Sequence, residues 1–102
     1  MSRGQENSSW TFLTNHAQVL LAIAQNPDVR LRDVAQHVGI TERATQRILL
    51  DLVEAGYLKR TRVGRRNNYT VNSRVEMRHA AQEGHPIGEL LDLLEVRDLA
   101  KP

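Results

Sequence analysis

The stretch "DVAQHVGITERATQRILLDLVEAGYL", residues 33–58, decides the fold. Leu31, Val34, Ala35 and Val38 recur on one side of a short helix over Asp33–Val38. Gly39 supplies a left-handed stop and Ile40 reads as a buried turn residue. Thr41 is the next N-cap, with Glu42 near the positive end of the helix dipole. The following helix runs over Glu42–Ala55 and ends at Gly56. Its Thr45, Ile48, Leu49, Leu52 and Val53 share one side, and Ala44 is small enough to lie near a neighbouring helix. Two helices joined by a short glycine turn form a helix-turn-helix unit. Arg43, Gln46, Arg47 and Leu50 take the opposite side. Arginine can bond guanine in bidentate fashion, glutamine adenine, and leucine can meet a thymine methyl. An amphipathic helix also turns charges to water, so this face alone does not choose between the two roles.

Downstream, Tyr57–Val63 and Asn68–Val71 read as two strands anchored by Tyr57, Leu58, Tyr69 and Val71. The loop between them, Gly64, Arg65, Arg66 and Asn67, is expected to protrude, because a short hairpin tip has nothing to bury it. A hairpin directly after a helix-turn-helix is a wing. An arginine-rich tip suits a minor groove, where narrowed A·T stretches concentrate negative potential. The strand pattern leaves open which face each strand arginine takes.

Upstream, Val29–Leu31 is expected to form a short strand. Before it, Thr14 caps a first helix over Asn15–Gln25, in which Ala17, Leu20, Leu21 and Ala24 mark one face that Val19 and Ile23 widen. Asn26-Pro27-Asp28 ends that helix. Trp10, Phe12 and Leu13 add apolar bulk ahead of it, while Met1–Ser9 has no periodicity and is expected to be mobile. Beyond Asn72 the chain reads as loop or partial helix until Pro86, which opens a final helix carrying Ile87, Leu90, Leu91 and Leu94, with Leu93, Val96 and Leu99 adding apolar surface. That exceeds the need of a three-helix core. Trp10, Leu20, Ile87, Leu90, Leu91 and Leu94 are therefore expected to pair two copies across a two-fold axis, the alternative being that the tail packs on its own domain. The organisation expected is a mobile segment 1–9, a DNA-binding unit 10–72, and a linker with a dimerising helix over 73–102.

Bulk properties narrow the function. A chain of 102 residues with 40% hydrophobic and 25% charged residues has room for one folded domain. It has no cysteine, which excludes disulfides, thiolate metal sites and cysteine nucleophiles. The net charge is only +2, but residues 30–66 hold nine basic side chains against four acidic ones, while the flanks are acidic. Such a cluster is a solvated surface or the footprint of a polyanion. No long apolar run or secretory signal is present, so a cytoplasmic location is expected and no membrane partner. His16, His37, His79 and His85 fit no compact ligand spacing, and no nucleophile motif or phosphate loop occurs. No enzyme, metal or cofactor is expected.

Residues 31–71, with strand, helix, glycine turn, helix and basic hairpin in this order, resemble the winged helix-turn-helix regulators of the MarR and ArsR type. The resemblance implies a mainly α fold with a small β hairpin: a three-helix core, a β wing and a C-terminal helix. It implies a sequence-specific regulator of double-stranded DNA acting as a homodimer. By that likeness Thr41, Arg43, Gln46 and Arg47 take major-groove positions and Arg65 and Arg66 the wing tip. Arg32, Leu50, Arg62 and Asn67 complete the expected contact set. A protein-interaction module and a structured-RNA binder are the competing readings, and nothing in the residues names a small-molecule effector.

Overall fold

The computed structural model describes residues 10–99, with side chains as far as Leu94. The expected mobile segment Met1–Ser9 and the side chains of Val96 and Leu99 lie outside the described residues. Helix α1 spans Asn15–Gln25, α2 Leu31–Val38, α3 Glu42–Glu54 and α4 Ile87–Leu99, with strands β1 Leu58–Val63 and β2 Arg66–Val71 between α3 and α4. Helix α1 is the hub, packing against α2, α3, α4 and β2. That explains its broad apolar stripe: Val19, Leu20, Leu21 and Ile23 are all buried. Thr14 starts α1 as expected, its Oγ1 accepting from the Ala17 N–H at 3.1 Å.

The expected strand at Val29–Leu31 does not form. The Val29 N–H is already used in a turn, donating to Asn26 O at 3.0 Å, and Arg30 O accepts from Asp33 and Val34 as the start of α2. These bonds belong to a turn and to a helix start, not to a strand ladder. The sheet therefore has two strands, paired antiparallel from Leu58↔Val71 to Val63↔Arg66. The hairpin tip is also shorter than expected. Gly64 has φ +63°, whereas no residue other than glycine has positive φ among the described residues, the pattern of a two-residue hairpin turn that matches strand twist. Only Gly64 and Arg65 form the tip, and Arg66 and Asn67 belong to the ladder rather than to a protruding loop.

After β2 the chain turns back on itself. Residues 73–77 run antiparallel to 85–88, joined by Ile87 N–H to Val75 O at 2.7 Å, Gly88 N–H to Ser73 O at 2.9 Å and Met77 N–H to His85 O at 3.0 Å. The Tyr57 hydroxyl, buried at the exit of α3, donates to Glu76 O and holds this neck from inside. Burial raises the Tyr57 phenol pKa above its ordinary value, an effect the nearby Arg78 opposes. A single 3₁₀ turn, Ala80–Gln82, sits in the loop beyond the neck. Gly88 lets α4 approach the chain closely: a Cβ there would lie 2.9 Å from the Ser73 carbonyl oxygen.

The expected pairing surface needs correction. Leu20, Ile87 and Leu91 are buried in one core with Val34, Ile48, Leu49, Leu52 and Leu58, so they fill this chain and are not surface for a second copy. Helix α4 packs on the α1 side of that core. Trp10 stays exposed, and Leu90 and Leu94 are half-buried. No described helix is long and apolar enough to cross a membrane.

Candidate nucleic-acid interface

The orientation of α3 follows from its buried side. Gly39, at φ +88°, ends α2 and turns the chain into Thr41, whose Oγ1 accepts from the Ala44 N–H at 3.0 Å. Thr45 is wholly buried, and its hydroxyl is satisfied by donating to Thr41 O at 2.9 Å. With Thr45, Ile48, Leu49 and Leu52 facing inward, the helical period leaves Arg43, Gln46, Arg47 and Leu50 on one exposed stripe. Leu50 keeps 48% of its surface exposed. Arg32 on α2 and Thr41 are exposed as well.

Strand register settles where the wing arginines point. Arg60 lies opposite Tyr69 and Arg62 opposite Asn67, so both share the hairpin face of Leu58, Tyr69 and Val71. Lys59, Thr61 and Val63 take the other face, with Arg66, Asn68 and Thr70 opposite them. Arg65 occupies the tip. Gln46 from α3, Arg30 from the start of α2, and Arg66 and Asn67 from β2 open onto one cleft of about 350 Å³, floored by Val29, Leu49 and Tyr69. Helix α3 and the hairpin thus border a common space. Arg66 reaches this position because its guanidinium donates to Asp28 O at 2.6 Å.

The electrostatics distinguish this face from an ordinary charged surface. Among the described residues the only carboxylate pairs are His16 with Asp51 and His85 with Glu89. None of the nine basic side chains between Arg30 and Arg66 is neutralised by an acidic neighbour. Among the described residues no three groups converge that could hold a metal ion.

Sequence reasoning missed Arg30 at the cleft and the hairpin face that Arg60 takes. Arg30 was hidden by the expected strand: once α2 starts at Leu31, Arg30 becomes the residue that leads into the helix beside the cleft. For Arg60 the signal was its register with Tyr69, which needs the short turn to be known.

Comparison with known proteins agrees with this geometry. The chain resembles the zinc-dependent MarR family transcriptional regulator AdcR in its Zn(II)-bound state, with a TM-score of 0.53 and 18% identity over 91% of this chain and 60% of that one. It also resembles a Mycobacterium tuberculosis MarR family protein in complex with p-aminosalicylic acid, with a TM-score of 0.52 and 24% identity over 88% of this chain and 67% of that one. The chain therefore spans about three fifths to two thirds of the length of these structures, and at such identities the likeness establishes the fold. No curated protein matches it in sequence. The model of the MarR family matches residues 11–66, more than half of the chain and the whole of the helix-turn-helix with β1. The chain has the winged-helix fold and belongs to the MarR family.

Proposed function

We propose that the chain binds double-stranded DNA sequence-specifically, with α3 in the major groove and the wing on the adjacent minor groove or backbone. The observation that carries this reading is the cleft that Gln46 of α3 shares with Arg66 and Asn67 of the wing and with Arg30, the two arginines forming no ion pair among the described residues. Arg32, Thr41, Arg62, Arg65 and Arg66, joined by Arg30 and Arg60, contact phosphates and supply affinity; Arg43, Gln46, Arg47, Leu50 and Asn67 read base edges. The protein acts as a homodimer on a two-fold site. Exposed Trp10, Phe12 and Leu93 and half-buried Leu90 and Leu94 support an association surface away from the cleft.

Selection of bound fragments from random duplexes tests the reading directly: a palindrome is expected, and its half-site spacing reports the dimer. On the selected site, Arg65→Ala lowers affinity for all duplexes and reduces the salt slope by about 0.9, the value for one phosphate contact. Gln46→Ala changes base preference by roughly 1–3 kcal/mol while leaving that slope unchanged. Absence of any selected sequence, or preference for structured RNA at equal salt, removes the assignment. A monomer without DNA affinity supports a protein-interaction module instead.

A further inference from the structure

We propose that Asp28, acting through Asn68, is a latch that fixes the angle of the wing against α3. Three hydrogen bonds from β2 converge on the turn between α1 and α2. Asn68 Nδ2 donates to Asp28 Oδ1 at 2.5 Å and to Pro27 O at 3.3 Å, and Arg66 donates to Asp28 O at 2.6 Å. These partners are about forty residues apart in sequence, and none belongs to the hydrophobic core.

The wing needs such a tie. An isolated two-stranded hairpin is marginal in water, and from Lys59 onward every residue of β1 is exposed. Leu58 roots the hairpin at one end, and half-buried Tyr69 and Val71 support the β2 side near that root. Among the described residues no third strand borders β2. The side chains of Asn68 and Arg66 take the place of that missing ladder. The Asp28 carboxylate has no cationic partner among the described residues, so its bond to the Asn68 amide is charge-assisted and stronger than a neutral one. Pro27 stiffens the turn that presents both acceptors. Asp28 and Asn68 are thus positioning residues, which hold Arg65 at the tip and Arg66 and Asn67 at the cleft in fixed relation to Gln46.

The DNA part of this inference rests on the function proposed above; the latch itself does not. The chain has no cysteine, so spin labels can be placed at Val63→Cys and Gln36→Cys, both exposed and neither assigned to DNA contact. In free protein the distance distribution between them is narrow. Asn68→Asp, which sets two carboxylates against each other, broadens it, and the swap Asp28→Asn with Asn68→Asp narrows it again by reversing donor and acceptor. Asn68→Ala, which adds no charge, broadens it less and serves if Asn68→Asp fails to fold. Without labels, Asn68→Asp binds the selected duplex about tenfold more weakly, the scale of one lost hydrogen bond to a charged group, and the swap recovers most of the loss. A distribution that stays narrow in both single variants overturns the latch, whether or not any duplex binds. Broadening with unchanged duplex affinity overturns the positioning role, and failure of the wild-type protein to bind any duplex overturns the proposed function while the label distances still decide the latch.

Discussion

Truncating Leu91 to alanine separates a core role for α4 from a purely dimeric one. Leu91 is only 4% exposed and packs with Leu20 and Ile23 of α1 in the same buried cluster. Removing all but its β-carbon forfeits the transfer energy of the buried methyl groups and leaves a void that rigid neighbours close only in part. Because α4 lies at the margin of the core, the low end of the range for buried leucines applies, about 2–3 kcal/mol. In a domain of this size that corresponds to a fall in Tm of about 10–20 °C. Leu93, one position beyond Asp92 on the same helix, is 64% exposed, and Leu93→Ala is expected to change stability by less than about 0.5 kcal/mol. Urea unfolding followed by far-ultraviolet circular dichroism, at low and at high protein concentration, makes the measurement. The Leu91→Ala loss should be the same at both concentrations, since it arises within one chain. A loss below about 0.5 kcal/mol, or one that disappears at high concentration, would refute the argument and return Leu91 to a subunit interface.

Gly88→Ala should cost about 1–3 kcal/mol by pushing α4 away from the Ser73 carbonyl, read as a lower urea midpoint with the helix content retained. Thr41→Ala removes the cap on α3 and should cost about 1 kcal/mol, whereas Thr41→Ser, which keeps the hydroxyl, should not; thermal melts of the pair check it. Tyr57→Phe loses the bond to Glu76 O and should cost about 1 kcal/mol near neutral pH. Because burial raises the Tyr57 pKa, the unfolded chain releases this proton first. The wild-type domain should therefore lose stability as pH rises through about 10, the unfolded value, toward the higher folded one, and Tyr57→Phe should flatten that alkaline slope.

Much of this molecule was legible because its signals are local. The glycine at position 39, the threonine cap at 41 and the periodic Thr45, Ile48, Leu49 and Leu52 each act within a few residues, and α3 forms where they indicate. The reading face of α3 follows by subtraction once the buried side is known. What was hidden depends on partners distant in sequence or on competition between equally plausible local states. Val29–Leu31 has the β-branched and aliphatic character of a strand, yet the Asn26 turn and the start of α2 take up its backbone groups. Arg66 and Asn67 look like loop residues until the tightness of the Gly64–Arg65 turn draws them into the ladder. Leucines 20 and 91 carry the periodicity of an amphipathic face, but periodicity cannot tell whether that face meets its own chain or another; their burial here answers for this chain alone. The bond between Asp28 and Asn68 joins two small polar residues that each make sense as turn or strand surface, so neither announces the other.

The neck closed by Val75, Glu76, Pro86 and Ile87 has a practical consequence for engineering. Both ends of the segment 78–84 are pinned side by side, so extra residues inserted at the 3₁₀ turn cost the few local bonds of that turn and the entropy of a longer loop, which grows slowly with length. An epitope or a fluorescent tag spliced between Gln82 and Gly84 should therefore leave α4 seated, offering a handle away from both α3 and the hairpin.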